Sequence, residues 1–97
     1  MIIVQEIFVC KPGNASKLAK MFKTAMADSS ELVNIMTDMT GQYNRVVIAS
    51  KYENLAAYEQ SWEKFKANAE AMKKMQESMA GYQDMYVSGS REIFQVW

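Results

Sequence analysis

The sequence predicts an α+β sandwich, a four-stranded antiparallel sheet with helices on one face. Three observations lead there. Apolar residues alternate with period two in four stretches and recur at helical spacing in two others. Those stretches run in the order strand, helix, strand, strand, helix, strand. The 97 residues are enough for one hydrophobic core and too few for two, so a single domain spanning residues 1–97 is expected.

The first strand covers Ile2 to Cys10, rich in β-branched residues and stopped by Lys11-Pro12-Gly13, where proline removes a donor and glycine permits a tight turn. From Ala15 the period changes. Ala15, Leu18, Ala19, Phe22, Ala25 and Met26 fall on one helical face with Lys17, Lys20 and Lys23 between them. This predicts an amphipathic helix with Asn14 as N-cap, ending near Asp28-Ser29-Ser30. Period two returns over Glu31 to Thr40, and the turn Gly41-Gln42-Tyr43-Asn44 leads into Arg45 to Tyr52, so the second and third strands form a hairpin. Asn54 caps a second helix whose stripe is Leu55, Tyr58, Trp62, Phe65, Ala69 and Met72. Its continuation through Met75 and Met79 is long for so small a domain, and a break near Ala67-Asn68 is expected. Gly81 and Gly89 flank an irregular approach to a last strand, Arg91 to Trp97. The order β-α-β-β-α-β is that of the ferredoxin-like sandwich, for which sheet order 4-1-3-2 follows by analogy.

Composition narrows the functions available. Eleven basic residues balance eleven acidic ones, which removes the electrostatic footprint of a nucleic-acid or anionic-membrane binder. The third strand also lacks the stacking aromatics of an RNA-recognition motif. With no histidine and one cysteine, Cys10, the chain cannot build a Ser-His-Asp set, a Cys-His pair, a disulfide or a zinc site of Cys and His. No metal or cofactor is expected. Met1-Ile2-Ile3-Val4 is broken at once by Gln5-Glu6, unlike a secretory signal, and no apolar run approaches the ~20 residues of a membrane span. A cytoplasmic location is the expectation.

A sheet covered on one side should turn polar residues to the other. Placing Ile2, Val4, Phe8, Cys10, Val33, Ile35, Val46, Ile48, Phe94 and Val96 under the helices leaves Ile3, Ile7, Val9, Met36, Val47, Ala49, Ile93 and Trp97 opposite, with Gln5, Asn34, Asp38, Arg45, Arg91 and Gln95 among them. That much apolar surface predicts a homodimer packed face to face through its sheets into an α/β barrel, and the space between the two sheets, apolar with a few convergent polar groups, fits a small-molecule pocket.

Taken together, the strand ending Phe8-Val9-Cys10-Lys11-Pro12-Gly13, the Gly41 turn and the Asn54-Leu55-Ala56-Ala57-Tyr58 opening of an aromatic-bearing helix resemble the dimeric α/β-barrel superfamily. That group takes in antibiotic-biosynthesis monooxygenase-like, NIPSNAP-like and stress-responsive barrel proteins. The resemblance covers the chain in order and length and implies the fold. Its haem-degrading, lactone and dismutase branches lean on histidines that are missing here. Its cofactor-independent oxygenase branch uses Asn, Trp, Tyr and Arg around the pocket, residue types this chain supplies.

A ligand is expected between the helix-facing side of the sheet and the second helical region, which carries the large aromatics and the methionines Met72, Met75, Met79 and Met85. The lining residues expected are Asn34, Tyr58, Trp62, Tyr82 and Arg91. Trp62 and Tyr58 would offer flat apolar contact, Arg91 and Asn34 would orient a polar oxygen, and Tyr82 would close the end near Gly81. Each has an ordinary structural alternative: the aromatic stripe as core, Arg91 as a cross-strand ion pair, with Asp38 as the candidate partner. Glu6 lies between Val4 and Phe8, paired with a helix lysine or available as a base. Cys10 is a small hydrophobe, or a partial thiolate beside Lys11. Two functions stay open: a cofactor-independent monooxygenase-like enzyme acting on a small aromatic or phenolic molecule, and a non-catalytic small-molecule-binding or stress-related homodimer.

Overall fold

The structure, a computed structural model, describes residues 1–97. Its elements are β1 (Ile2–Cys10), α1 (Ala15–Ala25), β2 (Leu32–Thr37), β3 (Arg45–Tyr52), α2 (Leu55–Ala67), α3 (Ala69–Ser78), a short 3-10 turn (Tyr82–Asp84) and β4 (Tyr86–Gln95). The antiparallel sheet has the order β2-β3-β1-β4, the expected 4-1-3-2 read from the opposite edge. It is a ferredoxin-like α+β fold in which the second helical region is split. Asn68 ends α2 and caps α3, its side chain accepting a bond from the Ala71 N–H. No helix is long and apolar enough to cross a membrane.

The core lies under α1, α3 and the 3-10 turn. Cys10, Leu18, Val46, Ile48 and Met79 are buried together, and Phe8, Phe22, Ile35, Met75, Tyr82 and Tyr86 pack around them. Leu18 and Val46 have no exposed surface. Lys17, Lys20 and Lys23 face solvent, as a lysine row between apolar positions should. Gly81 follows α3 in the left-handed region (φ 80°), which a residue with a Cβ rarely adopts, and turns the chain toward β4.

Several boundaries differ from those expected. Helix α1 stops at Ala25, three residues short of Asp28, where tighter turns close instead (Ala27 N–H to Thr24 O, Ser29 N–H to Met26 O). Asn14 precedes α1 but makes no side-chain cap. Strand β2 is shorter than Glu31 to Thr40, because Asp38 leaves the ladder to accept bonds from the Arg45 backbone N–H and from its Nε. A bulge between Leu32 and Asn34 makes Val33 an extra residue and leaves it exposed, not under the helices.

The largest correction concerns β4. It begins at Tyr86, well before Arg91, and ends at Gln95; Trp97 is fully exposed beyond it. Glu6 pairs with Arg91, Val4 with Ile93 and Ile3 with Phe94. Arg91, Ile93 and Gln95 therefore share the helix side with Val4 and Glu6, while Phe94 lies on the open side, the reverse of the expected assignment. A bulge at Val9/Cys10 shifts the register of this edge strand. Elsewhere the faces agree: Ile3, Gln5, Ile7, Val9, Arg45 and Val47 occupy the open side.

A candidate site beneath the second helix

Helix α2 starts where Asn54 Oδ1 accepts the Ala57 N–H at 2.8 Å, filling one of the orphan donors of a helix start. None of its residues is buried. The stripe of Tyr58, Trp62 and Phe65 still runs down one side, with Trp62 and Phe65 edge to face at 6.1 Å. Because α2 follows β3 after a two-residue link, Tyr52 at the strand's end packs on the helix's first turn, its ring edge to face with Tyr58 at 5.0 Å.

From the sheet, the β1–β4 register sets Glu6 directly across from Arg91, and Glu6 Oε1 lies 3.1 Å from Arg91 Nη2. The guanidinium carbon sits 5.8 Å from the ring centres of both Tyr58 and Trp62. An arginine held this way offers its charge to the ring faces as well as to the carboxylate. The Arg91 and Glu6 side chains are 46% and 29% exposed, so solvent screens the pair and its contribution to stability is at most about 1 kcal/mol.

One group in this cluster is unpaired. The Tyr58 hydroxyl is buried and has no hydrogen-bond partner. An orphan of this kind costs about 1–3 kcal/mol. Burial also pushes the Tyr52 phenol above its ordinary value; a hydrogen bond from Ser61 opposes the shift, and the charges of Glu31 and Glu6 add to it. Tyr52 therefore stays protonated at neutral pH.

Of the five lining residues expected, Tyr58, Trp62 and Arg91 come together. Asn34 stands across from Ala49 on the open side of the sheet, separated from them by the sheet itself. Tyr82 does follow the Gly81 bend, but it packs against Phe22 and Tyr86 under α1 and joins the core. Glu6 pairs with Arg91 and not with a helix lysine, and Asp38 pairs with Arg45. Tyr52 was missed, although strand parity with Ile48 and its place just before the Asn54 cap could have found it. Trp62 is 40% exposed, so it is not enclosed by core side chains. The Cys10 thiol is pushed up by burial, which leaves it an inert hydrophobe.

Two cavities lie elsewhere. One of 580 Å³ opens between the β1–α1 loop at Gly13 and the β2–β3 turn around Asp38 and Tyr43. Another of 330 Å³ borders Tyr52, Glu31 and Lys51. Neither takes in Tyr58, Trp62 or Arg91, so the α2 cluster is a set of half-exposed side chains converging on an ion pair.

No curated protein matches the chain. Among solved structures it is similar to an uncharacterised NIPSNAP domain protein from Burkholderia xenovorans, with a TM-score of 0.81 and 13% identity over 100% of this chain and 95% of that one. A NIPSNAP-like domain protein from the same organism gives 0.80 and 20% over 99% and 84%. A candidate antibiotic biosynthesis monooxygenase from Nitrosomonas europaea gives 0.62 and 11% over 99% and 98%. At these identities the likeness is one of fold. The NIPSNAP family model, however, matches residues 6–88, from Glu6 in the first strand into the last, and on that match the chain belongs to the NIPSNAP family.

Proposed function

We propose that the chain is a small-molecule-binding protein of the cytoplasm, with an oxygenase-like activity on a small aromatic or phenolic molecule held beneath α2. The observation that carries this reading is the convergence of the Tyr58 and Trp62 rings on Arg91, whose guanidinium carbon lies 5.8 Å from both ring centres. Two ring faces suit a flat ligand, and a guanidinium with donors beyond the one used by Glu6 suits its oxygen. Electron-rich phenols react with dioxygen themselves, so the protein need only bind and orient them. The fold shared with a candidate antibiotic biosynthesis monooxygenase fits the proposal. Binding of 1-naphthol, followed by quenching of Trp62 in a Trp97→Phe chain, tests the site, and oxygen uptake over a panel of hydroquinones tests the chemistry. Uptake abolished by Arg91→Met supports the enzyme. Binding without uptake leaves the non-catalytic reading, which the prior pairing of Arg91 with Glu6 favours.

The same proposal includes a homodimer formed through the open face of the sheet. Ile3, Ile7, Val9, Val47, Met36 and Phe94 all lie on that side and keep exposed surface. Light scattering should give twice the chain mass. Substituting Ile7→Asp or Val47→Asp should split the dimer, since each would bury an unpaired charge. A stable monomer at micromolar concentration contradicts the dimer.

A further inference from the structure

We propose that a row of polar side chains across the open face of the sheet orients the two copies of the dimer. Their strands run along the two-fold axis, and Glu92 of each copy accepts hydrogen bonds from Asn34 of the partner subunit. The inference rests on the dimer proposed above and names how its copies recognise each other.

Register builds the row. Asn34 on β2 lies across from Ala49 on β3, Ala49 from Gln5 on β1, and Gln5 from Glu92 on β4, so these residues cross the whole sheet at one level. On one side of it, Met36, Val47, Ile7 and Ser90 form the next level; on the other lie Ile3 and Phe94. A polar level is thus set between apolar ones. Asn34 and Glu92 are exposed, and the side chains of Asn34, Gln5 and Glu92 have no hydrogen-bond or ion-pair partner within their own chain.

Two sheets packed face to face share a two-fold axis between them, either along the strands or across them. An axis along the strands, over the middle of the order β2-β3-β1-β4, sets β4 on the partner's β2 and β1 on the partner's β3. Glu92 then meets the partner's Asn34, a carboxylate against an amide that donates. The long Gln5 meets the partner's Ala49, and Val47 meets the partner's Ile7. Aligned sheets are rotated by about 30°, which moves a contact about 7 Å from the axis by roughly 4 Å, a gap these side chains span. An axis across the strands sets each strand on its own copy. Centred on the polar level, it puts Glu92 on the partner's Glu92, like charge against like charge; displaced toward a neighbouring level, it buries polar groups against an apolar row. The cations of this face, Arg45 and Lys51, lie near the two ends of β3, where long side chains reach solvent.

Sedimentation equilibrium on substituted chains tests the contact. Both positions are exposed in the single chain, so the variants should keep the fold, which circular dichroism checks. Asn34→Asp sets carboxylate on carboxylate in two symmetry-related contacts and should weaken the dimer roughly tenfold or more. Adding Glu92→Gln to it exchanges amide and carboxylate and should restore the dissociation constant to within about threefold. Mixing an isotope-labelled Asn34→Asp chain with a Glu92→Gln chain reads the pairing directly. In the mixed dimer both contacts join a carboxylate to an amide, so native mass spectrometry should show it above its statistical share. An unchanged dimer with Asn34→Asp, no recovery in the double variant, a dimer tightened by Glu92→Gln alone, or a statistical mixture overturns the orientation and leaves the dimer standing, which Ile7→Asp reports separately. A monomeric unsubstituted chain overturns the dimer and the orientation together.

Discussion

At one end of the sheet, Leu18 of α1 and Met79 just past α3 reach down onto Cys10, Val46 and Ile48, and neither Leu18 nor Val46 keeps any exposed surface. At the other end, Tyr58 and Trp62 of α2 come down onto the Glu6–Arg91 ion pair, and Trp62, Arg91 and Glu6 all remain partly in solvent. Both ends use a helix with an apolar stripe over the same sheet. The first places aliphatic side chains against one another and gains the full transfer free energy of their burial. The second spends aromatic surface on a charged pair and strands a hydroxyl, an arrangement that adds little to stability. A local departure from good packing of this kind marks a functional site more often than a defect.

The contrast is broken or sharpened by measurement, beginning with the largest effect. Leu18→Ala removes a fully buried side chain and should cost about 3 kcal/mol in urea unfolding, whereas Trp62→Ala should cost less despite removing more atoms. Equal costs would mean that α2 is part of the core. Tyr58→Phe deletes the orphan hydroxyl and should leave the free protein unchanged or up to about 1 kcal/mol more stable. A loss of stability would place a hydrogen-bond partner on Tyr58 Oη.

The smallest effect is on alkaline stability. Burial raises Cys10 from its ordinary value of 9.0 and Tyr52 from its ordinary value of 10.0. Each group binds its proton more tightly folded than unfolded, so its stabilisation is complete below the ordinary value and is lost as pH rises through the folded one. Stability should therefore begin to fall near pH 9. Cys10→Ala should flatten the earlier part of that fall, from the packed end, and Tyr52→Phe the later part, from the α2 end. A fall that neither variant alters would assign it to other groups.

Strands β1 and β3 and the start of α2 were legible because burial imposes a period on them. Val46 and Ile48 must alternate with Arg45 and Val47 when only one side of their strand is packed on helices. The onset of β4 was not legible, since Val87-Ser88-Gly89-Ser90 lies on an exposed edge where burial imposes no period. The face of Arg91 was misread for the same reason: its partner across the ladder is Glu6, 85 positions earlier, and only that pairing fixes its direction. Trp62 and Tyr58 could be named in advance because helical spacing put them on one stripe. Asn34 and Tyr82 were named for their chemistry. Asn34 went to the far side of the sheet, and the Gly81 turn carried Tyr82 to the core.

A crystal structure of the protein soaked with 1-naphthol tests the central claim most directly. The account predicts density for the ring against Tyr58 and Trp62, with its oxygen within hydrogen-bond distance of Arg91. Density confined to the cavity beside Gly13 and Tyr43, or to the open face of the sheet, would contradict it.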